Sequence, residues 1–164
     1  MNDVRASLFT LLLFSVLTVL SVPQTRGDEA LVVVVNKSNP VENLTLEELR
    51  KYCVQERKHW SDDKRVTVVL REPGQVERDA VLQLIYRMSE SDFKRYFLQA
   101  EFTGEVQAAP KHLSSALGVR RFIFNVPGAI GFVRASDVDA TVKALRIDGL
   151  AFSDPHYPLH TKNR

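Results

Sequence analysis

Cysteine occurs once in this sequence, at Cys53, so no internal disulfide staples the chain. Its place four residues after Leu49 on an expected helix suits a small buried hydrophobe. Neither sign of charge dominates: 22 basic residues stand against 20 acidic ones, well interspersed. That balance leaves no nucleic-acid footprint. The densest charged run, QERKHWSDDKR at 55–65, mixes signs and reads as a solvated loop. Histidines are few, and His156 and His160 cannot share a helix face because Pro158 lies between them. No cysteine or carboxylate cluster completes a metal site. A nucleophile elbow, a Walker loop, a Cys–His pair and a paired-carboxylate site are all missing. No catalytic residue, metal or cofactor is singled out by these residue types.

Long apolar runs are equally scarce. The longest, ASLFTLLLFSVLTVLSV from Ala6 to Val22, follows Arg5 and precedes polar PQTRGDEA. It falls a little short of the roughly 20 apolar residues that span a bilayer and reads as a secretory signal. Residues 1–27 are assigned to that signal, with cleavage after Ser21 or Gly27, and 28–164 to a single domain. No membrane segment is expected after cleavage.

What remains alternates between strand-like and helix-like stretches. LVVVVN (Leu31 to Asn36) is a continuous apolar run of strand length, suited to a sheet covered on both faces. Thr45 and Glu48 form a capping box for the helix LTLEELRKYCV, with Leu44 and Leu49 as its staple. A strand over Val66–Leu70 leads into REPGQVER, and a helix then carries Val76, Ala80, Val81, Leu84, Ile85 and Met88 on one face. SESD opens a further helix with Phe93, Tyr96, Phe97 and Ala100 on one stripe, ending near Gly104. Ser114 or Ser115 caps a helix carrying Leu117, Val119, Phe122 and Ile123, before NVPG ends it. AIGFV (Ala129 to Val133) and VKALRI (Val142 to Ile147) read as strands, and the tail as loop. The alternation predicts an α/β domain with a largely parallel sheet. Ligands in such sheets gather at the strands' carboxyl ends, where the loops after Asn36 and Leu70 are expected to meet.

Four stretches in order, LVVVVNKSNPVENLTLEELRKYCVQERKHW, LREPGQVERDAVLQLI, NVPGAIGFV and VKALRIDGLAFSDPHYPL, resemble the periplasmic phosphate-binding proteins of ABC transporters. The match is nearest to short, single-lobe relatives in that solute-receptor superfamily. It implies a single three-layer lobe of periplasmic-binding-protein type, a periplasmic location, and phosphate or a similar oxyanion as ligand. The family's Arg-x-x-Gly-Ser-Gly-Thr-Arg loop falls on 71–78, where Arg71, Gly74 and Arg78 are kept but Gln75, Val76 and Glu77 replace Ser-Gly-Thr. Gln75 still carries a donor, Val76 adds bulk, and Glu77 sets a negative charge where an anion would approach. One lobe also encloses less of a small ligand than two. The expectation is therefore weak or lost oxyanion binding, through Arg71, the backbone at Gly74, Gln75, Val76 and Glu77, and Ser38 from the first loop. Arg78 is read first as pairing with Glu77 or Asp79. The alternative is a periplasmic adaptor that keeps the fold and binds a membrane sensor or transporter protein.

Overall fold

The computed structural model describes residues 28–162. The signal assigned to 1–27 lies outside them. Eight strands and four α-helices follow in the order β1 (Glu29–Val35), β2 (Asn43–Leu44), α1 (Leu46–Cys53), β3 (Thr67–Arg71), α2 (Val76–Val81), α3 (Glu90–Phe102), β4 (Lys111–Leu113), α4 (Ala116–Asn125), β5 (Ala129–Arg134), β6 (Lys143–Ala144), β7 (Arg146–Ile147) and β8 (His160–Thr161). The main sheet runs β4-β3-β5-β1-β6, with β8 also on β1; β2 and β7 form a separate parallel pair.

Alternation along the central strands divides the interior in two. Leu31, Val33, Val35, Val68, Leu70, Ile130 and Phe132 face the aromatic cluster under α1 to α3. Val32, Val34, Val69, Ala129 and Val133 face Val119 and Ile123 of α4. The result is a three-layer α/β lobe in which β1 is buried on both faces, as its unbroken apolar run requires. On the α4 side Gly131 has no side chain for a reason: a Cβ there would lie 2.9 Å from both Ile123 and Val119.

Five strands of the main sheet point one way. β3 is parallel to β4 and β5, and β6 and β8 share that direction. β1 alone runs against them, antiparallel to β5, β6 and β8. This corrects the expectation that the loops after Asn36 and Leu70 meet. Val35 registers with Ile130 and Ile130 with Val68, so the end of β1 lies beside the beginning of β3. An apolar run reports burial on two faces and carries no information on strand direction.

The capping box at Thr45 and Glu48 is formed as the residue pattern indicates. Cys53 is fully buried, and burial pushes its thiol far above the ordinary range. Trp60 is buried too, donating from its indole to the Gly128 carbonyl at 3.0 Å. Ser115, rather than Ser114, caps α4 by accepting from the Gly118 amide. Two stretches depart from the sequence reading. The helix over Val76–Met88 is α only to Val81, continues as a π-turn over Leu82–Tyr86, and stops at Arg87 with φ 56°. The strand over Val142–Ile147 splits at Leu145, whose amide bonds to Val33, while the next amide bonds to Glu42.

Candidate functional site

β3 ends at Arg71, and the chain turns through Glu72, Pro73, Gly74 and Gln75 before α2 begins. Pro73 fixes the second turn position and Gly74, at φ 87°, takes the left-handed third, with the Gln75 amide 3.4 Å from the Glu72 carbonyl. The Gln75 side chain does not cap α2; its Oε1 accepts instead from Arg71 Nη2 at 3.0 Å. The same Nη2 donates to the Ser114 carbonyl at 3.0 Å, tying the loop to the segment after β4.

Glu77 occupies the centre. Its side chain is only 4% exposed, and Oε1 accepts from Arg134 Nε at 2.9 Å while Arg71 Nη1 stands 3.9 Å away. Oε2 of Glu77 and Nε of Arg71 are buried without a hydrogen-bond partner among the described residues. The carboxylate thus sits between two guanidinium groups, which is the environment that a bound oxyanion would need.

Arg78 points the other way. It is fully buried, forks onto Glu90 at 2.8 and 3.0 Å, and donates from Nη1 to the Arg71 carbonyl at 3.1 Å. Its guanidinium also lies 4.9 Å over the Phe93 ring. The hydrogen bonds from Arg78 hold the Glu90 carboxyl below the usual carboxylate range. Partial burial and the same guanidinium lower the His112 imidazole on β4. The partner of Arg78 is therefore Glu90, from a different helix, and not Glu77 or Asp79.

Of the seven expected site residues, Arg71, Gly74, Gln75, Val76, Glu77 and Arg78 share this corner, although Arg78 turns away from its centre. Ser38 is not brought there. It lies at the opposite end of the sheet, where its amide and hydroxyl both donate to Asn36 Oδ1, while Asn36 Nδ2 donates to the Ile123 and Phe124 carbonyls at the end of α4. Two contributors went unread. Glu90 is remote in sequence, but Arg134 had a signal: LR at 70–71 and VR at 133–134 each close an apolar strand with arginine, and parallel pairing of those strands sets the two ends side by side. A hollow of about 220 Å³ on the flank of α2, lined by Asp79, Gln83, His160 and Lys162 among others, contains none of the three arginines. Among the described residues no three His, Cys, Asp or Glu side chains group as metal ligands, and no helix is long and apolar enough to cross a membrane.

No family model matches the sequence. Solved structures do share its architecture. A putative phosphate ABC transporter substrate-binding protein with bound phosphate from Clostridium perfringens is 20% identical with a TM-score of 0.68, over 82% of this chain and 54% of that one. An ABC-type phosphate transport receptor from Vibrio cholerae is 23% identical at a TM-score of 0.61, over 76% and 48%. PstS from Borrelia burgdorferi is 14% identical at 0.62, over 83% and 56%. The fold is theirs. This chain spans about half the length of each of those receptors.

Proposed function

We propose that this chain is an exported, non-enzymatic module of the solute-receptor kind whose oxyanion site is occupied by its own carboxylate. The observation that carries this reading is Glu77, buried between Arg134 and Arg71 with Oε1 2.9 Å from the first. A phosphate approaching those guanidinium groups would meet a fixed negative charge. At about 4 Å that costs on the order of 4 kcal/mol per unit charge in a partly buried setting. Phosphate or a related oxyanion is then held weakly or not at all, and the periplasm is the compartment such a module would serve.

Calorimetric titration of phosphate, sulfate and arsenate into the purified chain and into a Glu77→Thr variant tests this. The parent should give no heat of binding at millimolar anion. The variant, in which both guanidinium groups lose their shared carboxylate, should bind phosphate and melt at a higher temperature in its presence. Micromolar binding by the parent would overturn the reading. If neither protein binds, the adaptor reading takes precedence: the fold kept as a docking module for a membrane sensor or transporter. The observation favouring that second reading is the exposure of Leu98 and Phe102 on α3 and of Leu117 and Phe124 on α4.

A further inference from the structure

β4 joins the sheet late. Its first residue, Lys111, registers with Val69, so the residues that open β3 have no paired strand on that side among the described residues. The loop before β4 runs past Val66 and Val68 there, and a hollow of about 270 Å³ separates the two segments. It lies at the end of β3 opposite Arg71 and Glu77.

Two cations mark the ends of this hollow. Arg65, bonded to the side-chain carbonyl of Gln107, stands at one end, and Lys111 at the other. From Arg65 to Val69, the register partner of Lys111, is roughly 13 Å of extended chain. Both side chains are exposed and neither has an ion pair among the described residues; Lys111 Nζ stands 5.9 Å from the centre of the Phe122 ring. No carboxylate lines the hollow among the described residues. Glu101 holds the Ala109 amide without lining it, and Glu56 and Glu105 line a separate hollow that shares only Gln55 with this one. One backbone donor is also unused. Thr67 donates to the Gly128 carbonyl on the β5 side at 3.0 Å, so strand alternation turns the Val68 amide the other way, toward the hollow. That amide has no hydrogen-bond partner among the described residues, although Val68 is only 3% exposed. A buried donor of this kind calls for an acceptor.

We propose that the hollow binds a linear aliphatic dicarboxylate. One carboxylate meets Arg65 and the Gln107 side-chain amide, and the other meets Lys111 and the Val68 amide. The methylene chain lies along Val66, Val68, Ala108 and Pro110, which line the stretch between the two cations. Like charges at both ends call for a ligand with the opposite charge at both of its ends. The apolar stretch between them gives no partner to a compact, hydrated oxyanion such as phosphate. The volume is just below the roughly 300–1,000 Å³ of sites for drug-sized ligands, which suits a chain of about six to eight carbons. The proposal does not depend on what the corner at Arg71 and Glu77 holds.

Titration of suberate into the 15N-labelled chain, followed by amide NMR, tests the site and its location together. The Val68 and Ala109 amides should shift with half-saturation at about 1 mM, while those of Gln75 and Glu77 stay in place. Added sodium chloride should weaken the binding. Monomethyl suberate has the same chain with one charge removed and should bind about three- to tenfold more weakly. Arg65→Gln and Lys111→Gln alter exposed side chains, so both should keep the parent's circular dichroism. Each should lose about the same factor for suberate and discriminate little between the acid and its ester. Should either variant fail to fold, the two ligands on the parent decide alone. No shift by about 20 mM suberate, shifts confined to the corner, equal binding of acid and ester by the parent, or a folded variant that binds suberate as the parent does would each overturn the proposal.

Discussion

The pair formed by Arg78 and Glu90 is unequal in its surroundings. The guanidinium is wholly buried, while the carboxylate is about a third exposed (34%) and has Lys94 3.6 Å away as a second partner. Removing either member therefore leaves a different orphan. Glu90→Ala strands a buried cation and should cost about 3–5 kcal/mol, whereas Arg78→Met leaves a carboxylate that water and Lys94 can serve and should cost about 1–2 kcal/mol. Chemical denaturation of both variants and of the double variant checks this; the double should resemble Arg78→Met alone. A pH consequence follows from the same contact. Because Arg78 lowers the folded-state pKa of Glu90 below its ordinary 4.5, the unfolded chain takes up that proton first as the solution is acidified. The stability from the pair is complete above about pH 4.5 and is lost as pH falls through the lowered folded value. Across that window the gap in melting temperature between parent and Glu90→Gln should narrow; a constant gap would show that the carboxylate's charge contributes nothing.

Among the elements, two glycines separate backbone demand from packing demand. Gly74 takes φ 87° with nothing within 4 Å of where a Cβ would stand, so Gly74→Ala should lose only the left-handed backbone preference, about 1 kcal/mol. Gly131 lies where α4 presses onto β5, and Gly131→Ala should cost more, in the overpacking range of about 1–3 kcal/mol. Arg87 ends the π-turn at φ 56°, where Arg87→Gly should raise the melting temperature. Thermal melts of the three variants give the ranking. The elements were also what the residues declared best. Apolar stripes and caps located α1, α3 and α4, because burial and orphan amides are local demands written at fixed spacing. Three features had no such signature. β4 and β8 are three and two residues long and are defined by their neighbours. The switch to π geometry at Leu82 left the apolar face uninterrupted. Leu117, one of the apolar residues that the pattern gives to α4, is open to solvent. At the corner, the residues within one loop were legible, whereas Arg134 and Glu90 arrive through strand pairing and helix packing.

For the molecule as a whole, the reversed direction of β1 decides more than the position of Ser38. Apart from β1, the strands of the main sheet all lie C-terminal to residue 66, and three of them pair directly with β1. A ribosome makes the LVVVV segment first and its partners at Ala129–Arg134, Lys143–Ala144 and His160–Thr161 last. At about 5–20 residues per second, the most apolar strand waits roughly 5–20 s with both edges unpaired while about 100 further residues are added. Such a segment, β-branched and uncharged, is a site for aggregation in the interval. Chains halted before residue 129 should therefore depend on a holding chaperone for solubility, and chains halted after 162 should not. Pelleting of stalled products with and without chaperone would measure the difference. The strand that anchors the finished sheet is thus the hazard of its synthesis.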